Sequence, residues 1–123
     1  MNEIEHKVQK AIAQYLDLRR LCWWAVPNGG RRNIGVAKKL KAEGVKSGIP
    51  DISLVYNGRF YGIEVKKPKT STPKGTLSAN QKSRIAQIEA SGGVVGLAYC
   101  VSDVKELLEI WGISWVQFPI HWH

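Results

Sequence analysis

Asp51, Glu64 and Lys66 carry the chemistry most legible in this chain, in the stretches Gly48-Ile49-Pro50-Asp51 and Glu64-Val65-Lys66. Two acids and a lysine so spaced suit metal-assisted hydrolysis of a phosphodiester. That reaction needs a nucleophilic water, stabilisation of charge at phosphorus and help for the leaving oxygen. Bound Mg²⁺ serves all three needs and is held by a few carboxylate oxygens plus waters. Asp51 and Glu64 are the expected ligands, with the Val65 carbonyl a third. Lys66 would position or deprotonate the attacking water, or stabilise the developing negative charge.

A hairpin must bring the acids together. Asn57-Gly58 is a strong two-residue turn signal between two runs rich in branched and aromatic residues, Ile52 to Tyr56 and Arg59 to Val65. Counting outward from that turn, Tyr56 pairs with Arg59, Ser53 with Gly62, and Asp51 falls opposite Glu64. Directly opposed residues share a sheet face with Cβ atoms roughly 4.5–5.5 Å apart, where two bare carboxylates repel and a cation is expected between them. Lys66, two residues past Glu64, returns to that face about 6.6 Å further along.

An amphipathic helix is expected from residue 3 to about residue 20. At one residue per 100°, Leu18, Ala11, Ile4, Tyr15, Val8, Ile12 and Leu16 fall within an arc about 160° wide. Glu5 lies inside that arc while Glu3 and Lys7 point elsewhere, so Glu5 is the acid expected to meet the core and a candidate fourth metal ligand. An acid buried there needs a partner or a proton.

The charge balance suggests what the site meets. The 123 residues hold 18 Lys plus Arg against 10 Asp plus Glu, a net charge of +8, and the excess favours a polyanionic partner. Arg31, Arg32, Lys38, Lys39, Lys41 and Lys46 precede Asp51, and Lys67, Lys69 and Lys74 follow Lys66, so positive charge brackets the site. With Asn28, these residues form the expected DNA-contacting set. Phosphate neutralisation would make binding salt-dependent.

The rest of the chain supplies a scaffold. Cys22 to Val26 reads as a strand ended by Pro27-Asn28-Gly29-Gly30, and residues 31–43 as a loop or a short helix. Lys67 to Leu77 reads as an exposed loop. Ser78 to Ala90 is an expected helix, and in Ser78-Ala79-Asn80-Gln81 the glutamine serves either a capping box or the site. Val94 to Val101 reads as a buried strand, followed by a helix capped by Ser102-Asp103 through Ile110, and Ile113 to Phe118 as a last strand. The order implies an α/β domain around a mixed sheet flanked by helices. Cys22 and Cys100 lie in apolar segments and are expected as buried free thiols. Hydrophobic residues make up 44%, no apolar run reaches the length of a membrane span, and the N-terminus lacks a signal-peptide pattern, so a cytoplasmic protein is expected, in a bacterial or phage-infected host cell.

The ordered set Glu5-x-x-Val8-Gln9, Asn28-Gly29-Gly30, Gly48-Ile49-Pro50-Asp51, Glu64-Val65-Lys66 and Gln81 resembles the VRR-NUC domain of the PD-(D/E)XK nuclease superfamily, from about Glu3 to Leu108. The resemblance implies one VRR-NUC-type nuclease domain over residues 1–123, with a restriction-endonuclease-like core and Mg²⁺- or Mn²⁺-dependent DNA cleavage. By it, Glu5, Asp51 and Glu64 match metal-ligand positions, Lys66 the catalytic lysine, and Gln81 a further motif position. Stand-alone members of this size are similar to archaeal Holliday junction resolvases, which implies a homodimer acting on branched DNA in repair. A restriction-like, flap or single-strand nuclease shares the same chemistry. In another class stands a non-catalytic basic DNA-binding module. Trp111, Trp115, Phe118 and Trp122 match nothing in the family; they would close the core or form a dimer interface, and His121 and His123 read as a tail.

Overall fold

A computed structural model describes residues 3–28, 33–67 and 76–114. The elements run α1 (Glu3–Leu18), β1 (Cys22–Ala25), α2 (Ile34–Ala42), β2 (Ile52–Tyr56), β3 (Arg59–Val65), α3 (Ala79–Ala90), β4 (Val94–Ala98) and α4 (Val101–Ile110). The strands form one mixed four-stranded sheet in the order β1-β2-β3-β4, antiparallel across β1-β2 and β2-β3 and parallel across β3-β4. Parallel pairing of β3 with β4 requires a crossover, which α3 provides.

The hairpin has the expected register, with Tyr56 opposite Arg59 and Ile52 opposite Ile63. Asn57 at φ 50° and Gly58 at φ 77° make both turn residues left-handed, as a type I′ turn requires. Alternation then divides the sheet into two unlike faces. Ile52, Leu54, Tyr61, Ile63 and Val65 join Ile12 and Leu16 of α1 and Val104 and Leu108 of α4 in the apolar core. Full burial of each Leu or Ile there contributes roughly 1.5–3 kcal/mol. Asp51, Ser53, Gly62 and Glu64 point the other way, toward α3. All four are buried, three of them carrying polar side chains.

Helix α1 meets the core over only part of its apolar arc. Ile12 and Leu16 are fully buried, whereas Ile4 and Leu18 stay 46% and 66% exposed and Ala11 is exposed too. Periodicity gives the direction of an apolar face, while the packing partners, here α4 and β3, decide how much of it is covered. The covered strip runs along Ile12 and Leu16, the two residues that flank Glu5 in angular projection. Arg19 belongs to the same strip and is only 7% exposed. Its Nη1 donates to Tyr15 Oη at 2.8 Å and its Nη2 to the Ile113 carbonyl at 3.0 Å, tying the end of α1 to the segment after α4.

One open reading is decided and other expectations change. Residues 34–42 are helical, started by Asn33, whose side chain accepts from Val36 N at 2.7 Å. Strand β4 stops at Ala98, and α4 begins at Val101 with Cys100 as its N-cap residue. Asp103 reaches back to accept from Tyr99 N at 2.8 Å and shapes that turn instead of opening the helix. Both cysteines are exposed thiols, Cys22 on the edge strand β1 and Cys100 in the turn before α4; an apolar run is buried in mid-sheet but not at an edge or past a strand's end. The expected last strand falls mostly outside the described residues, its Ile113 and Ser114 being non-strand. Trp111 stacks on Tyr61 with ring centroids 5.0 Å apart, a core role, while Trp115, Phe118, His121, Trp122 and His123 lie outside the described residues.

Candidate active site

The site forms where the β1 end, the start of β2, the end of β3 and the start of α3 meet. Pro50, fully buried, brings the chain into β2 just before Asp51, whose carbonyl accepts from Val26 N at 2.8 Å. The Asp51 carboxylate is held at both oxygens. Oδ2 accepts from Val65 N at 2.9 Å and Oδ1 from Asn28 Nδ2 at 3.2 Å. Asn28 Nδ2 also donates to the Ile49 carbonyl at 2.7 Å, so this residue, expected to touch DNA, orients Asp51. The sequence hid that role, because Pro27-Asn28 reads as a strand terminator and its partners lie over twenty residues away.

Glu64 is 2% exposed, and its Oε2 is buried with no hydrogen-bond partner among the described residues. Burial, a hydrogen bond with Asp51 and the charge of Asp51 push its carboxyl up to about 9; Lys66 pulls the other way and Glu5 adds a smaller upward push. With nothing else bound, Glu64 therefore holds a proton at neutral pH, placed between two facing acids. A proton in that position is what a divalent cation displaces. An orphaned carboxylate oxygen, a like-charged neighbour and a dry setting fit Mg²⁺ or Mn²⁺, which need only one or two protein carboxylates and keep several waters.

Glu5 reaches the pair through its field. Among the described residues no three His, Cys, Asp or Glu side chains gather closely enough to hold a metal, and Glu5, half-buried in the first turn of α1, acts on Glu64 by its charge. Lys66 continues the β3-β4 ladder by donating its N–H to the Ala98 carbonyl at 3.0 Å. Its Nζ donates to Gln81 Oε1 at 3.0 Å. Gln81 also completes a capping box with Ser78, so the helix cap and the contact with Lys66 are made by one side chain.

A cleft of about 560 Å³ opens beside Asp51 and Gln81, lined also by Asn28, Lys46 and Gly48 among others. A groove of about 450 Å³ continues from it along Lys41, Lys46, Ser47 and Arg84. Lys38, Lys39 and Lys41 lie exposed on α2, Lys46 is exposed after it, and Lys67 is half-buried next to Lys66. Arg31, Arg32, Lys69 and Lys74 lie outside the described residues.

The VRR-NUC domain family matches residues 4–102, most of the chain and every motif of the site. The chain belongs to the VRR-NUC family. A solved structure described as a VRR_NUC domain protein superposes with a TM-score of 0.71 at 21% identity, covering 93% of either chain, which establishes a shared α/β nuclease-like fold. No curated protein matches significantly. The chain thus carries a nuclease-type domain, and among the described residues no helix is long and apolar enough to cross a membrane.

Proposed function

We propose that this VRR-NUC domain is a divalent-metal-dependent endonuclease that hydrolyses phosphodiester bonds in DNA, acting as a homodimer on branched DNA such as four-way junctions. The observation that carries the hydrolytic reading is the buried Asp51–Glu64 pair with its orphaned Glu64 Oε2. A domain that only bound DNA would gain nothing from two acids facing each other beside a phosphate track. Selectivity for branched DNA and dimerisation draw their support from the likeness of the motif set to junction resolvases.

Asp51, Glu64 and the Val65 carbonyl would hold Mg²⁺ or Mn²⁺, which when bound activates water and offsets charge at the phosphorus. Asp51 is pre-aimed for this by Val65 N–H and Asn28, each of which leaves its oxygen a further lone pair. Lys66 spends one of its three N–H donors on Gln81, which leaves two for the attacking water or a phosphate oxygen. Lys38, Lys39, Lys41 and Lys46 would neutralise phosphates along the groove.

The test is cleavage of labelled four-way junction, flap, nicked and linear duplex DNA with Mg²⁺ or Mn²⁺, wild type beside Asp51→Ala and Lys66→Ala. Metal-dependent nicking of the junction that both substitutions abolish is the expected result. Preferential cutting of flaps or plain duplex would replace the junction reading. Salt-dependent DNA binding without any cleavage would leave a binding module.

A further inference from the structure

One atom of Gln81 serves two donors. Its Oε1 accepts from the Ser78 backbone N–H at 2.9 Å and from Lys66 Nζ at 3.0 Å, while Ser78 Oγ accepts from Gln81 N at 3.1 Å. Helix cap and lysine contact are thus one arrangement. The same turn is also seated on the segment that leads into Asp51. Gly48, at φ +76°, approaches so closely that a Cβ there would fall 2.5 Å from the Asn80 carbonyl oxygen and 3.1 Å from Gln81 N. A positive φ and that contact both demand glycine.

We propose that the first turn of α3 is a positioning device for Lys66. Gln81 holds Nζ, Ser78 holds Gln81, and Gly48 sets the turn against the segment that leads into Asp51. The inference rests on the nuclease reading above and assigns positioning roles to Ser78 and Gly48. A lysine on a four-carbon stem has many rotamers; a shared acceptor anchored in a helix terminus selects one of them. The choice of amide also has a reason. Glu at this position would complete the capping box as well as Gln and suit the helix dipole better, but it would pair with the ammonium and cancel the charge needed at the phosphate. A neutral oxygen aims Lys66 without neutralising it.

Steady-state cleavage of the best-cut substrate, well below the melting temperature of every variant, tests the device. Ser78→Ala should lower kcat by about tenfold at unchanged KM, as a displaced catalytic group does, and Ser78→Thr should restore it. Gln81→Glu should keep or raise the melting temperature yet lower kcat, and Gln81→Met should lower kcat further than Ser78→Ala. A destabilised Ser78→Ala with wild-type kcat would overturn the proposal and leave a plain helix cap, as would unimpaired Gln81→Met. A second measurement needs no cleavage: acetylation of Lys66 by acetic anhydride, followed by peptide mass spectrometry on metal-free protein. Lys66 should react several-fold faster in Gln81→Met than in wild type, whereas equal rates would overturn the positioning role. Because this arm stays readable in a protein that cuts no DNA, failure of the nuclease reading is told apart from failure of the device.

Discussion

The two faces of the β2-β3 hairpin are one residue apart in sequence and opposite in character. Ile63 and Val65 point into an apolar core sealed by α1 and α4, while Glu64 between them points toward α3 with a carboxylate oxygen that lacks a partner among the described residues. One face lowers the free energy of the fold. The other spends part of that stability on holding two acids together, and it can do so because the core next to it keeps the strands from separating. The contrast teaches that one hairpin divides stability and chemistry between its two faces.

The largest expected effects break the comparison on the polar side. Asp51→Ala or Lys66→Ala should lower kcat by about 10²–10⁴, with a melting temperature close to wild type. On the apolar side, Leu54→Ala should cost about 2–5 kcal/mol of stability, measured by urea denaturation, yet leave kcat per folded molecule near normal. If Leu54→Ala and Asp51→Ala damage the same property, the two faces are not separable.

A pH experiment sharpens the comparison next. Glu64 is raised from 4.5 to about 9 in the folded chain, so the folded state holds a proton that the unfolded state has lost between those values. The stability it contributes is therefore complete below about pH 4.5 and is lost as pH rises through about 9. In EDTA the melting temperature should fall along that range, and Glu64→Gln, neutral throughout, should flatten the decline. With Mn²⁺ the trend should weaken or reverse for wild type, since the cation takes the proton's place more readily at high pH. A Glu64→Gln profile that parallels wild type would remove the basis for the metal site.

Smaller effects follow. Arg19→Ala removes a buried guanidinium from Tyr15 and the Ile113 carbonyl and should cost about 1–3 kcal/mol by denaturation, with no change in cleavage chemistry. Lys39→Ala should leave both stability and kcat alone and reduce the salt dependence of DNA binding by about one unit of slope, read by fluorescence anisotropy.

Legibility followed the range of the interactions involved. The Asn57-Gly58 turn is local, and with strand parity it is enough to set Ile52 against Ile63 and so bring Asp51 beside Glu64. The start of α3 was equally local, since Ser78 and Gln81 are three residues apart. Periodicity singles out Glu5, which is half-buried in the structure, but its approach to the acid pair depends on how α1 sits on the sheet. Cys22 and Cys100 misled because apolar runs carry no record of whether a strand is central or at the edge.

By itself the sequence determined the elements near the site, the hairpin register and the acids' shared face, because turn dihedrals and side-chain alternation act over a few residues. Only the tertiary structure decided that Asn28 orients Asp51, that Gln81 meets Lys66, that Gly48 seats α3 and that Arg19 is buried. Each of those contacts joins segments whose separation is set by loop paths and helix packing, and neither leaves a periodic trace in the chain.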